Sequence, residues 1–320
     1  MKNIVFIGDL HLSDRQISTR VDDTTETCLE KLKWILHYAE INEADIISTG
    51  DMFTHTLYSN HTRYQIKKAL RNFYQSGFQF WNISGNHGGD VEDRDPDSVV
   101  YRELGQFCLD GYVNFLGKFD DVFQDFPIRD NVVIRGYSAY SELNTTDVDQ
   151  VVGLVCHHWI MDAFGDSLVV YPDDMKKIFP NLMFIVAGHD HAYHPSYMSR
   201  DGVAVYRPGS VMRTDSGKAS DRIPSGLLLR LEEAVTGTLR LIWEPFPIEC
   251  ARPYSEVFYS ENKQVDLESA NALERFVNQM QNNSGAVMDI HSAVKEQLAL
   301  VPAVDKDMIK TDLSQNGFMV

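Results

Sequence analysis

Over roughly the first 190 residues, short apolar runs alternate with stretches of helical spacing, the pattern of strands wrapped by helices in an α/β layer structure. The runs predict strands over residues 4–7, 45–48, 78–83, 132–137, 151–155 and 183–186. Cys28, Leu32, Ile35 and Ala39 fall on one helical face and Ile66, Leu70 and Phe73 on another, with polar residues opposite. From about Tyr197 the pattern becomes one of hairpins. Asp201-Gly202 is a turn signal ahead of a strand over residues 203–206, and Thr236-Gly237 joins 227–231 to 238–243 as an antiparallel pair that completes a sheet. Past Arg252 the texture changes again: Leu273, Phe276, Val277 and Met280 recur at helical spacing before the Asn282-Asn283-Ser284-Gly285 break. These shifts predict a main domain over residues 1–250 and a small accessory or capping region over 251–320. There is no internal repeat.

Polar residues able to bind metal gather directly after the predicted strands. Asp9 and His11 follow the first, Asp51 the second, Asn86 and His87 the third, His157 and His158 the fifth, and His189 and His191 the sixth. Ligands of an open α/β sheet bind in the crevice beyond the carboxyl ends of its strands, so these groups are expected to converge although far apart in sequence. Carboxylates, imidazoles and one amide without a thiolate suit manganese, iron or zinc. Asp51, with one oxygen for each of two cations, is a candidate bridge, and two cations held close together can clamp a phosphoryl oxygen and generate a hydroxide near neutral pH. Gly8, Gly50, Gly85 and Gly188 stand immediately before four of the clusters, where the absence of a β-carbon permits close approach.

Composition narrows the class. The 320 residues are 43% hydrophobic and 23% charged, which excludes a disordered or fibrous chain, and at roughly 150 residues per domain the length allows about two units. Forty-six acidic against 29 basic residues give a net charge of −17, which argues against a passive nucleic-acid sleeve but not against an enzyme that meets phosphates through bound cations. Cys28, Cys108, Cys156 and Cys250 are scattered, with no Cys-x-x-Cys pair, as suits a reducing cytosol. Few apolar residues precede Asp9, too few for a signal peptide or membrane span, so the expected location is cytoplasmic with no membrane partner.

The series Asp9-Leu10-His11, Gly50-Asp51, Gly85-Asn86-His87, His157 and Gly188-His189-Asp190-His191 resembles the calcineurin-like metallophosphoesterase superfamily. Gly50-Asp51-Met52-Phe53, Tyr206-Arg207-Pro208-Gly209-Ser210 and Arg252-Pro253-Tyr254 further resemble its SbcD-type DNA nucleases, the bacterial or phage recombination exonucleases. The resemblance implies an α/β fold of the metallophosphoesterase type, a β-sandwich flanked by helices. It also implies a site with two divalent ions, Mn2+ above others. Asp9, His11 and His191 would hold one ion, Asn86, His157 and His189 the other, with Asp51 bridging and His87 protonating the leaving oxygen. The implied partners are DNA, an SbcC-type ABC ATPase and a second copy in a homodimer.

Two positions depart from that pattern. Thr54 stands where such nucleases often carry histidine, with His55 one residue later; Gly88 and Gly89 follow the Asn-His pair where many members place aspartate, and Asp90 is the nearest carboxylate. His55, His158, Arg207 and Arg213 are the candidate substrate contacts, the arginines through bidentate phosphate binding or, equally, as surface ion pairs. His157 takes precedence over His158 as a ligand because it lies nearer the strand end, which leaves His158 either behind the ligands or facing substrate. His37, His61, His194 and His291 are expected at the surface, with His194 close enough to His191 to touch substrate. Arg63, Lys67 and Arg71 form a basic stripe, expected as a solvated face or dimer contact ahead of a phosphate track. Three functions follow in order: a metal-dependent DNA nuclease, exo- or endonucleolytic; a phosphodiesterase or phosphatase acting on a small nucleotide or phosphoprotein; and a non-enzymatic protein with a structural metal.

Overall fold

The computed structural model describes residues 3–259 except 93, 161–168, 218–220 and 234–238. One unit spans Met1–Phe258. The helical stripe expected from Leu273 to Met280, and with it most of the proposed accessory region, lies outside the described residues.

In chain order the strands are β1 (Asn3–Ile7), β2 (Ala44–Ser48), β3 (Phe80–Asn82), β4 (Asn114–Phe115), β5 (Gly117–Phe119), β6 (Val122–Gln124), β7 (Phe126–Arg129) and β8 (Val132–Tyr137). They continue as β9 (Val151–Cys156), β10 (Trp159–Ile160), β11 (Val169–Val170), β12 (Phe184–Ala187), β13 (His194–Met198), β14 (Ala204–Arg207), β15 (Ser225–Glu233) and β16 (Leu239–Pro247). The longer helices are α1 (Thr24–Ile41) and α2 (Asn60–Gln75), followed by the short α3 (Glu103–Leu109) and α4 (Pro172–Ile178). Capping fixes where the first two begin: the Asp23 carboxylate accepts from the Glu26 N–H and the Ser59 hydroxyl from that of Thr62.

Two six-stranded sheets form, ordered β16-β15-β1-β2-β3-β4 and β13-β14-β12-β9-β8-β7. Their facing sides share one core, with Ile4, Phe6, Ile47 and Leu229 from the first against Ile134, Val155, Phe184 and Val186 from the second. The alternate residues Val5, Ile7 and Ile46 pack outward under Cys28, Leu32 and Ile35 of α1 and Ile66, Leu70 and Phe73 of α2. On the far side Leu154, Ile185 and Ala187 pack with Phe179 and Leu182. Strands buried on both faces explain why these segments read as unbroken apolar runs rather than as alternating ones. The molecule is thus an α/β sandwich of two sheets flanked by helices.

The single open sheet assumed for strand-end convergence is therefore two sheets. Parallel pairing of β1, β2 and β3 in one, and of β8, β9, β12 and β14 in the other, sends their carboxyl ends the same way within each sheet. The two ends are stitched by a parallel bridge from Gly8 to Ser210.

Candidate metal centre

The strand-end residues other than His158 meet in this seam. Asp9, His11, Asp51 and His157 are almost wholly buried, and His11, Asp51 and His189 adopt positive φ of 46°, 47° and 74°. Non-glycine residues seldom occupy that region, and such strain concentrates where side chains must be aimed. Close approach accounts for two glycines: a β-carbon on Gly85 would lie 1.9 Å from Asp51 Oδ1, and one on Gly188 would lie 2.6 Å from Asp9 Oδ1.

Three groups bring candidate ligand atoms within 4.8 Å of one another: Asp9, His11 and His191; His11, Asp51 and His87; and Asp9, Asp51 and His157. Asp51 Oδ2 lies 3.3 Å from His157 Nε2, 3.6 Å from His87 Nε2 and 3.9 Å from His11 Nε2, while Oδ1 accepts the His87 backbone N–H. Asn86 Oδ1 sits 2.8 Å from His157 Nε2 and 2.9 Å from His189 Nδ1. His157 Nδ1 donates to the Thr49 carbonyl at 2.8 Å, which fixes the tautomer and turns the Nε2 lone pair inward.

The donor set fits divalent cations. Asp9 Oδ2 and Asp51 Oδ2 are buried with no hydrogen-bond donor, and the Nε2 atoms of His11 and His191 face each other at 2.9 Å. Buried acceptors turned toward acceptors are costly unless a cation joins them. Taken as protein groups alone, the carboxylates diverge. Burial raises the Asp9 carboxyl, whereas at Asp51 the opposing burial is overcome by His157, His11 and His87, which hold it well below the usual carboxylate range. Burial would lower His157, but Asp51 and Asp9 raise it to about 9; burial, then His157, lowers His189 to about 4.

Other candidates fall into two sets. His55 borders the cluster, its Nε2 3.0 Å from Ser13 Oγ, next to Thr54, whose Oγ1 lies 3.5 Å from His11 Nδ1. His194 bonds Asp190 at 2.6 Å. His158 is only 2% exposed and stacks on Tyr137 at 4.1 Å, so of its two expected positions it takes the one behind the ligands and not the substrate-facing one. Arg213 is equally buried, its guanidinium donating to the Arg222 and Arg252 carbonyls, and Arg207 lies over Tyr197, its guanidinium carbon 5.9 Å from the ring centre. The basic stripe is internally paired: Arg63 bonds Glu103 at 2.7 Å, Lys67 pairs with Asp110 and Arg71 with the Tyr112 hydroxyl.

Sequence reasoning missed the backbone work of Asp90. Its Oδ1 accepts the Phe53 N–H, and its Oδ2 those of Met52 and Gly85, tying the Asp51 and Asn86 loops together. It also missed Trp159, whose ring centre lies 5.1 Å from that of His189; only its place directly after His157-His158 hinted at this.

Residues 2–193 match the calcineurin-like phosphoesterase family, 60% of the chain. The chain belongs to that family. Metal-dependent phosphoester hydrolysis at a dimetal centre is the chemistry it brings to this phosphoesterase. No curated protein matches. Similar solved structures include a dimetal phosphatase from Danio rerio at 13% identity, covering 81% of this chain and 99% of that one, with a TM-score of 0.48. A 5'-nucleotidase precursor from Thermus thermophilus is 13% identical over 86% of this chain and 59% of its own, with a TM-score of 0.44. GAP50 of Plasmodium, an anchor in the inner membrane complex, is 12% identical over 79% and 86%, with a TM-score of 0.45. No helix among the described residues is long and apolar enough to cross a membrane.

Proposed function

We propose that this phosphoesterase is a DNA nuclease of the SbcD type. The observation that carries the reading is where the nuclease-like segments pack. The turn after Arg207 lies directly behind the metal cluster, with the Ser210 N–H on the His191 carbonyl and the Val211 N–H on the Asp9 carbonyl. Arg213 from the same segment holds the Arg252 carbonyl, just before Pro253-Tyr254.

Asp9, His11 and His191 would hold one divalent ion, manganese by preference, and Asn86, His157 and His189 the other, with Asp51 shared. Bound there, the ions would supply Lewis acidity and neutralise charge gathering on the phosphoryl oxygens. The chain itself buries and orients these donors, the Thr49 carbonyl setting the His157 tautomer and Asp90 fixing two loops. His87, 37% exposed beside Asp51, is the imidazole suited to hand a proton to the leaving oxygen. An SbcC-type ATPase, a second copy of the chain and a cytosolic setting complete the proposal, with residues 251–320 as a cap or ATPase contact.

A second reading, a phosphatase or phosphodiesterase for small nucleotides or phosphoproteins, draws on the charge of −17 and the paired state of the basic stripe. Digestion of an end-labelled duplex and a matching single strand with manganese, against EDTA and Asp51→Ala controls, separates the two. Cleavage lost in the variant supports the nuclease. Absence of cleavage beside robust hydrolysis of a small phosphodiester transfers the assignment to the second reading.

A further inference from the structure

We propose that Trp159 is a stacking platform for the nucleobase next to the scissile phosphate. The proposal deepens the nucleotide-directed reading above and rests on it. Among the described residues, Trp159 is the exposed aromatic in ring contact with a histidine of the metal cluster, lying at 79° to His189. His189 in turn touches Asn86, so the indole stands one residue outside the ligand set.

Strand geometry explains why it faces out. β10 pairs in parallel with β11, Trp159 with Val169 and Ile160 with Val170. Ile160 and Val170 are buried in the outer core, and alternation along the strand turns Trp159 the opposite way. Behind it His158 is clamped on Tyr137, so the segment is anchored on both sides of an indole left 42% exposed. A large aromatic surface retained at the lip of a site rather than buried points to an apolar, planar ligand.

The chemistry suits this chain. Stacking needs no positive charge, holds any base because each has a π-face, and leaves the phosphate to the metal cluster. In a protein of net charge −17 whose α2 residues Arg63 and Lys67 are already paired with carboxylates, it supplies nucleic-acid contact that does not depend on those cations. The substrate class it selects is a phosphoester carrying a base beside the reacting phosphorus, rather than a phosphoprotein.

A cycle of two changes tests it: Trp159→Ala in the protein, and an abasic site beside the scissile linkage in a single-stranded oligonucleotide. Each alone is expected to lower kcat/KM roughly ten-fold, the two together no further, and Trp159→Phe to recover most of the loss. Independent, multiplying losses would overturn the platform. Tryptophan emission is read in parallel with manganese and a cleavage-resistant phosphorothioate trinucleotide. Quenching by the intact but not the abasic form, lost in Trp159→Phe, supports the platform even if no oligonucleotide is cut. In that case the nuclease reading alone falls. No quenching by the intact form overturns the platform whatever is hydrolysed.

Discussion

At the scale of single residues, the centre is held by side chains that satisfy backbone rather than face substrate. Asp90 is fully buried, and burial, reinforced by Asp51, raises its carboxyl to about 7 although three N–H groups bond it. Asp90→Ala would leave the N–H groups of Met52, Phe53 and Gly85 without their acceptor. A buried unpaired donor costs about 1–3 kcal/mol, and with partial rehydration the expected loss is roughly 2–4 kcal/mol in chemical denaturation. Manganese affinity should fall about 10–100-fold, as when an outer partner of a metal ligand is removed, and titration calorimetry on the folded variant reads this directly. Asp51→Asn is the contrasting case. Asparagine tolerates the positive φ found there, so the backbone stays while the carboxylate charge goes. Wild-type protein should gain about 2.7 kcal/mol for each site held at a hundredfold excess of manganese over its Kd. In Asp51→Asn that rise in melting temperature should be largely lost, and hydrolysis should fall by more than the Asp90 variant's. Scanning fluorimetry with and without EDTA checks the first point, and a full manganese shift in the variant would remove Asp51 from the bridging position.

At the scale of elements, α1 carries a lysine on its buried face. Lys31 is 1% exposed and donates to the Val211 carbonyl at 2.8 Å, linking α1 to the turn behind Asp9. Burial, then the Arg213 and Arg20 guanidiniums, lower its ammonium to about 7, with Cys28 and Cys250 opposing weakly. In the unfolded chain it titrates near 10.5. Below pH 7 both states are protonated and the folded one bears the whole cost of the buried charge. Between about 7 and 10.5 the unfolded state holds the extra proton, so this group's contribution to stability rises with pH. Lys31→Met should remove that slope. Thermal unfolding at pH 7 and 9.5 in EDTA should therefore show the wild type gaining relative to the variant at the higher pH, and a constant difference would refute the shift. The elements themselves were legible to differing degrees. β8 coincides with its predicted run because both faces are buried and turns bound it. β3 is shorter than predicted, since the Phe78 N–H still bonds the Phe73 carbonyl at the end of α2 and that of Gln79 bonds Asp45. β13 escaped notice because its exposure alternates poorly and it contains Pro195, as an edge strand allows. Lys31 was invisible to periodicity for the opposite reason: a polar residue on a buried face is found only through its partner.

At the scale of the molecule, the convergence of the candidate ligands was legible because strand ends repeat one chemistry, whatever sheet each strand joins. Their division between two sheets was not legible in the period, which reports burial but not pairing; the resemblance alone implied a sandwich. The same limit applied to charge: spacing placed Arg63, Lys67 and Arg71 on one face, but their partners Glu103, Asp110 and Tyr112 come from residues some forty positions onward. With Arg63 and Lys67 neutralised by carboxylates and Arg71 held by a hydroxyl, the stripe releases few counterions on meeting DNA. The logarithm of the binding constant falls against the logarithm of salt concentration with a slope of about −0.9 per phosphate neutralised. The chain alone is therefore expected to show a shallow slope, of magnitude below about 3, when a labelled oligonucleotide is titrated by anisotropy between roughly 50 and 200 mM salt. On the proposed nuclease reading, adding an ATPase that grips the duplex with its own basic surface should steepen the slope while leaving the cleavage chemistry with this chain. A magnitude above about 6 for the chain alone would require some six or more free cations at the interface and would defeat this division of labour. A shallow slope joined to a large loss on removing the Trp159 indole would instead mean that the acidic chain holds its substrate by metal and stacking, with electrostatic capture left to the proposed ATPase.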